Sequence, residues 1–380
     1  MTRNLPLNVG EPAPWFSAST GTQLRNTIAF DELAGRLIVL FFFGTAARPS
    51  VAEALSAFEK HDDLFDGKRA LFVGVSNDPD DFRLERVRHD RAGQLFLFDS
   101  TGAILRRYVA PEEPTALATI EPAAFILSPA LQIIEIVRLA QPTGFVGQIV
   151  SKLTDQLDSP PSGQAAPVLI IPQVFDPLFC RKLVDLHEAN GGREIGVVEN
   201  EGKIVRRFDP TFRKRLDHYI VDEDALRQAR ESLARRLLPL VYRAFQFSAT
   251  RIERYLVACY DATTGGHFKP HRDNTAPMVA HRRFAVTINL NETFEGGYLN
   301  FPEFNSQTYR TRPGDAIVFS CSLLHEVTPV TRHRRYAFVS FLYDEISQQI
   351  REKNSTSLAN SDSMARRAQQ EDHASGFPKS

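Results

Sequence analysis

Cysteine is scarce: the 380 residues hold three, Cys180, Cys259 and Cys321, an odd set without CxxC spacing and with none before residue 180. That pattern points to reduced thiols rather than a disulfide framework. Cys259 and Cys321 lie in apolar, strand-like runs, where a thiol behaves as a small hydrophobe. Long apolar runs are missing too, and none approaches the roughly 20 residues that a membrane-spanning helix needs. The opening MTRNLPLNVGEPAP lacks the basic start, apolar middle and small-residue cleavage site of a secretory signal, so a cytoplasmic location without a membrane partner is expected. An excess of either charge is also absent: 45 lysines and arginines face 46 aspartates and glutamates, a formal net charge of −1. No global field draws nucleic acid or an anionic membrane to such a chain, which counts against nucleic acid as a partner.

What is present reads as ordinary globular protein, 43% apolar and long enough for two hydrophobic cores. Over residues 1–155, strand-like runs alternate with helical patterns. LIVLFFF (37–43), ALFVGVS (70–76), QLFLFD (94–99), AAFILSP (123–129) and QIIEIVRL (132–139) read as strands, and SVAEALSAFEKHDDLF (50–65) as a helix behind Pro49-Ser50. Alternation of this kind predicts an α/β domain with a largely parallel core sheet. Residues 156–167, rich in Pro, Ser and Gly, fit a linker. A second domain is expected over 168–346. It opens with VLIIPQVFDPLFCRKLVDLHEANG, a strand followed by an amphipathic helix whose start is marked by Asp176-Pro177, has a second helical pattern over about 222–246, and from residue 251 turns to short strands punctuated by Gly296-Gly297 and Pro313-Gly314-Asp315. Helices leaning on a run of short strands suggest a double-sheet jelly roll with a helical buttress. The polar stretch 347–380 reads as a disordered tail, with a short helix around 363–370.

Taken together, LNVGEPAPWFSAST, GRLIVLFFFG, the helix after it, FVGVSNDP and the strand pair around FILSPALQII resemble a peroxiredoxin of the thioredoxin-like superfamily over roughly residues 6–153. That family needs a peroxidatic cysteine at the start of the helix after the first central strand, where the helix dipole and an arginine favour thiolate. This chain has GTAARPSVAEA there, and no cysteine precedes Cys180. Ser50 could occupy the equivalent turn, but a hydroxyl without a general base reads better as a helix cap. The expectation is a thioredoxin-fold domain without redox activity, serving assembly, partner docking or cover for a neighbouring active site.

FKPHRDN (268–274) raises a metal question. Residues two apart on an extended segment point the same way, so His271 and Asp273 can both reach one ion. A non-haem Fe(II) oxygenase uses two histidines and one carboxylate on one face of an octahedron, so a third ligand must come from elsewhere. PGDAIVFSCSLLHEVTPV places His325 just past an apolar strand, with Arg335 ten positions on. The order HRD, GG, PGD, H, R, with YDATTGGHFKPHRDN, RRFAVTINLNETFEGGYLNFPE and HEVTPVTRHRRYAFVSFLY, resembles the Fe(II)/2-oxoglutarate-dependent dioxygenases of the prolyl 4-hydroxylase-like branch over roughly 170–345.

The resemblance implies a double-stranded β-helix (jelly-roll) fold, Fe(II), 2-oxoglutarate as cosubstrate, O2, and ascorbate as an accessory reductant. It implies a catalytic set of His271, Asp273 and His325 as iron ligands, with Arg335 gripping the distal carboxylate of 2-oxoglutarate. Tyr260 matches a tyrosine that helps bind the same cosubstrate, and Arg334 alternates to the opposite face. An aspartate at 273 implies hydroxylation rather than halogenation, since its carboxylate fills the position a halide would take. The implied reaction hydroxylates an unactivated C–H bond of an amino acid, peptidyl or small-molecule substrate, and either domain could form a homodimer. A noncatalytic two-domain scaffold and a nucleic-acid-directed oxygenase are the alternatives. Among other residues, His267, His281 and His333 read as solvated loop positions, the charged run 205–218 as a solvated loop near the site mouth, Gly296 and Gly297 as turn formers, and Asn289 as a satisfied interior polar group.

Overall fold

The computed structural model describes residues 7–20, 27–87, 92–108, 121–159, 164–194, 197–200, 204–207 and 209–359. The chain forms two compact units, residues 1–164 with 302–305 and residues 165–301 with 306–380, each with its own apolar core.

The first unit holds β1 (Ser17–Ser19), β2 (Thr27–Ala29), β3 (Leu37–Gly44), α1 (Pro49–Glu59), β4 (Ala70–Ser76), α2 (Pro79–Arg83), β5 (Gln94–Phe98), α3 (Ala103–Tyr108), β6 (Ala123–Leu127), β7 (Ile133–Arg138) and α4 (Pro142–Asp158). Its seven-stranded sheet runs β2-β1-β5-β4-β3-β6-β7. Leu37–Phe43 is buried throughout, as a central strand covered on both faces must be. One face packs Phe41 and Phe72 against Phe58 of α1 and Phe145 of α4, each buried ring contributing about 1.5–3 kcal/mol. This is the thioredoxin-like α/β arrangement. Only the β3–β4 and β4–β5 neighbours pair parallel, whereas β6 pairs antiparallel with both β3 and β7. The core sheet is therefore less parallel than its alternating pattern predicts, because the short turn between β6 and β7 can close only a hairpin.

Where a peroxiredoxin carries its cysteine, this chain ties the turn down with acids. The fully buried Asp81 carboxylate accepts from the Ala46 amide at 2.9 Å and from the Ser76 hydroxyl at 2.6 Å, and Asp78 accepts from Thr45 at 2.7 Å. Ser50 is not the cap of α1. The N-cap is Arg48, without a side-chain cap bond, and Ser50 lies exposed in the first turn. Ser50→Ala should therefore shift stability by no more than about 0.5 kcal/mol in a denaturant titration.

The second unit begins with β8 (Leu169–Ile171), α5 (Pro177–Asn190), β9 (Val197–Asn200), β10 (Ile204–Arg207), β11 (Arg213–Lys214), β12 (Leu216–Tyr219), α6 (Glu223–Ser232) and α7 (Leu238–Phe245). It continues through β13 (Arg251–Asp261), β14 (His267–His271), β15 (Phe284–Asn289), β16 (Glu295–Gly296), β17 (Leu299–Asn300), β18 (Thr308–Tyr309), β19 (Ala316–Ser320), β20 (His325–Val327), β21 (Val330–Arg332), β22 (Arg334–Tyr343) and α8 (Glu345–Ala359). A five-stranded sheet, β11-β14-β20-β17-β18, and a six-stranded sheet, β12-β13-β22-β15-β19-β8, make the jelly roll. Asp176 and Asp222 cap α5 and α6 by accepting from the Phe179 and Ala225 amides, at 2.8 and 2.7 Å. These two helices and α7 bury Phe179, Leu183, Ala229 and Val241 in the core that also holds Val257 and Phe338 of the six-stranded sheet. All three cysteines are free and buried, and burial pushes the Cys259 thiol up to about 12.

Two readings of the sequence change here. Residues 347–359 are helical rather than tail: Ser347 is buried and accepts from Arg283 Nε at 2.7 Å, and Asn354 donates to the Pro277 carbonyl at 2.6 Å. The expected helix around 363–370 lies outside the described residues. Likewise, α4 extends to Asp158, past the expected start of the linker at 156.

Candidate metal centre

The five-stranded sheet brings His271, Asp273 and His325 together, and the six-stranded sheet carries Tyr260 and Arg335 side by side. β14 and β20 pair antiparallel with His271 opposite His325, so the two imidazoles are cross-strand neighbours on one face. Asp273 follows two residues after His271, and its amide donates to the Cys321 carbonyl at 2.9 Å, which carries the segment on past the strand end. His325 Nε2 lies 3.3 Å from one Asp273 oxygen and His271 Nε2 lies 3.7 Å from the other. One ligand atom from each residue lies within 4.8 Å of the others, the one such His, Cys, Asp or Glu group among the described residues.

Hydrogen bonds set the imidazole tautomers. His271 Nδ1 lies 2.7 Å from the Lys269 carbonyl and His325 Nδ1 lies 3.0 Å from the Leu323 carbonyl. A carbonyl oxygen only accepts, so each Nδ1 carries the proton and donates. Burial first, then the neighbouring His325, push His271 down to about 3, so its Nε2 holds a lone pair at neutral pH. Burial alone would raise the Asp273 carboxyl, but His325, His271 and nearby arginines outweigh it and keep the group ionised. An imidazole lone pair thus faces an anionic oxygen across less than 4 Å, an arrangement relieved by a cation between them. Phe268 stacks on His271 at 3.5 Å and Phe319 meets His325 edge-on at 4.7 Å, which keeps the surroundings apolar.

The opposite sheet supplies the basic group. Tyr260 on β13 pairs directly with Arg335 on β22, and both are buried. Arg334 points outward and binds Asp261 and Glu188, as alternation along a strand requires. Arg335 Nε donates to Asn289 Oδ1 at 3.1 Å, and Asn289 donates onward to the Thr311 carbonyl at 3.0 Å, so Asn289 is the satisfied interior amide its position suggests. Among the described residues no carboxylate pairs with Arg335, so its charge is left for an anion. Tyr260 and Val327, the latter on the same strand as His325, share one apolar cluster with Phe268 packed against it.

Two groups of residues lie where their sequence does not predict. Arg213, Arg215 and Asp217 are buried ion partners inside the barrel rather than a solvated loop. His281 is 2% exposed, with Nε2 2.9 Å from Glu253, which also pairs with the buried Arg282 through Nε at 2.6 Å. Burial alone would raise the Glu253 carboxyl, yet Arg282 outweighs it and holds the group well below the usual carboxylate range. Because the unfolded pKa is the higher one, this pair's contribution is complete above it and is lost as pH falls through the folded value. Glu253→Gln, which leaves Arg282 uncompensated, should destabilise the second unit by about 3–5 kcal/mol in chemical denaturation at neutral pH.

Comparison with known proteins agrees with this geometry. Residues 255–343, which contain Tyr260, His271, Asp273, His325 and Arg335, match the 2OG-Fe(II) oxygenase superfamily. The chain carries a 2OG-Fe(II) oxygenase domain. Residues 9–136 match the AhpC/TSA family, so the oxygenase domain follows a peroxiredoxin-like one. A PKHD-type hydroxylase of Synechococcus sp. (strain JA-2-3B'a(2-13)) is 32% identical over 98 residues, 24% of this chain and 43% of that protein. The chain thus spans less than half the length of this curated relative. Among solved structures, a Pseudomonas putida prolyl-4-hydroxylase aligns at 17% identity and a TM-score of 0.37, covering 52% of this chain and all of that one. The Xanthomonas campestris bacterioferritin comigratory protein aligns at 21% identity and a TM-score of 0.31, over 37% of this chain and 91% of that one. The superfamily brings Fe(II) and 2-oxoglutarate as cofactors, and the donor set of the oxygenase domain suits them. Among the described residues no helix is long and apolar enough to cross a membrane.

Proposed function

We propose that the protein is an Fe(II)- and 2-oxoglutarate-dependent hydroxylase acting on an unactivated C–H bond of an amino acid, peptidyl or small-molecule substrate. His271, Asp273 and His325 hold the metal through two Nε2 atoms and a carboxylate oxygen. Arg335 grips the distal carboxylate of 2-oxoglutarate, and Tyr260 assists. The carrying observation is the pairing of a converged two-histidine, one-carboxylate cluster with a buried guanidinium that no described carboxylate neutralises.

Bound Fe(II) would activate O2, whose four-electron reduction would draw two electrons from the oxidative decarboxylation of 2-oxoglutarate and two from the substrate C–H bond, so that one oxygen would end in succinate and one in the product hydroxyl. The protein's part is geometric and electrostatic. The carbonyls of Lys269 and Leu323 accept from Nδ1 and so orient both rings with Nε2 as the ligand atom, and Phe268 and Phe319 keep water from the ligands. Asn289 holds the Arg335 fork in place from its Nε side, leaving the terminal nitrogens for a carboxylate. The first domain, with acids at its vacated cysteine position, serves as a scaffold rather than a peroxidase.

The test is succinate formation by the full chain against free amino acids, proline-containing peptides and small-molecule acids. The reading expects one class to raise succinate release and to gain one oxygen atom by mass. Iron-loaded protein that neither decarboxylates 2-oxoglutarate nor oxygenates any of them would refute it.

A further inference from the structure

We propose that Arg215 is a positioning residue of the cosubstrate site: it holds the Tyr260 hydroxyl as a donor toward the carboxylate gripped by Arg335, and Asp217 holds Arg215. The inference rests on the proposed function and adds a residue pair to it.

Arg215 is the corner residue between β11, in the histidine-bearing sheet, and β12, in the sheet that bears Tyr260 and Arg335. Lys214 pairs with His267 across one sheet and Leu216 with Cys259 across the other, so the run spans both walls of the site. Extended backbone sends alternate residues to opposite sides. Lys214 reaches Glu194 at 2.9 Å and Leu216 is exposed, while the side chains of Arg213, Arg215 and Asp217 are 9%, 7% and 0% accessible.

Asp217 pairs with both arginines: its Oδ1 is 2.7 Å from Arg215 Nε, and its Oδ2 accepts from Arg215 at 3.1 Å and from Arg213 Nη2. Two cations thus share one anion. The remaining terminal nitrogen of Arg215, Nη1, donates to the Tyr260 hydroxyl at 3.0 Å. A guanidinium has no lone pair to offer, so the phenol oxygen must accept and its own proton needs another acceptor. The Arg215 and Arg335 guanidiniums lie 5.8 and 5.3 Å from the Tyr260 ring centroid, so the phenol sits in the field of two cations. A carboxylate beside Arg335 is the acceptor that this charge distribution suits.

The experiment measures 2-oxoglutarate affinity by calorimetry on the full chain loaded with Zn(II), which binds the same donors without turnover. Arg215→Met and Tyr260→Phe should each weaken 2-oxoglutarate about 10-fold, the scale of one charge-assisted hydrogen bond, with Zn(II) affinity unchanged. The double variant should bind no more weakly than the worse single one, because both remove the same interaction. Arg215→Lys, which keeps a charged donor, should recover part of the loss. Wild-type 2-oxoglutarate affinity in Arg215→Met, or losses that multiply to about 100-fold in the double variant, would overturn the proposal. Should Arg215→Met fail to fold, Arg215→Gln is read on the same scale. Arg335→Met separates the two claims: if it too binds 2-oxoglutarate like the wild type, the anchor assignment fails, and if it alone loses affinity, only the role of Arg215 fails.

Discussion

His325→Ala should cut succinate formation by more than about 100-fold and weaken metal binding at least as much, a larger effect than the 10–100-fold typical of losing an outer-shell partner. His325 opposes His271 across the strand pair and lies 3.3 Å from Asp273, so its removal leaves two ligands where the facial arrangement needs three. The packing cost is measurable separately: the buried ring meets Phe319 at 4.7 Å, Phe301 at 6.3 Å and His271 at 4.3 Å, and lies outside the main core of the unit. Metal affinity measured by competition with a chromophoric chelator, alongside circular dichroism, distinguishes a lost ligand from a lost fold. A folded variant that keeps wild-type metal affinity and turnover would remove His325 from the site.

Arg335→Met should raise the KM for 2-oxoglutarate by at least about 30-fold, with a smaller change in kcat at saturating cosubstrate. Truncating one partner of a buried, hydrogen-bonded charge pair costs about 2–5 kcal/mol, and each ~1.4 kcal/mol is tenfold in affinity. Methionine keeps much of the side-chain volume against Tyr260 and Phe294, so the loss reports charge rather than a cavity. Arg334→Met is the control. That side chain is about half exposed and pairs with Asp261 and Glu188, so KM should stay within twofold of wild type, in keeping with the small worth of surface ion pairs. Steady-state kinetics with varied 2-oxoglutarate measures both.

How much of this was legible in the chain depends on the kind of pattern. The strand LIVLFFF and the helix behind Pro49 announce themselves by apolar content and period; the structure places the strand as read and the helix over Pro49–Glu59, six residues short of the expected end at 65. His271 and Asp273 are readable as a pair because a two-residue spacing has a fixed meaning on extended chain. The pairing of His271 with His325 is not, since register between strands some fifty residues apart is set by the sheet and not by local spacing. The run RKRLD hides for another reason: five residues dense in charge look like solvated loop, although their alternation hints at one inward face. Only the carboxylate of Asp217 makes two buried arginines affordable. Similarly, α8 has few apolar residues and holds its place through side-chain hydrogen bonds to Arg283 and Pro277, contacts invisible to periodicity. His281 belongs to the same class, a histidine whose burial follows from Glu253, far away in sequence.

Absorption spectroscopy without oxygen tests the central claim most directly. Adding 2-oxoglutarate to the Fe(II)-loaded protein should produce a weak visible charge-transfer band that saturates at one equivalent of each, is absent in His325→Ala, and needs far more 2-oxoglutarate in Arg335→Met. Iron bound stoichiometrically with no such band at any 2-oxoglutarate concentration would contradict the account.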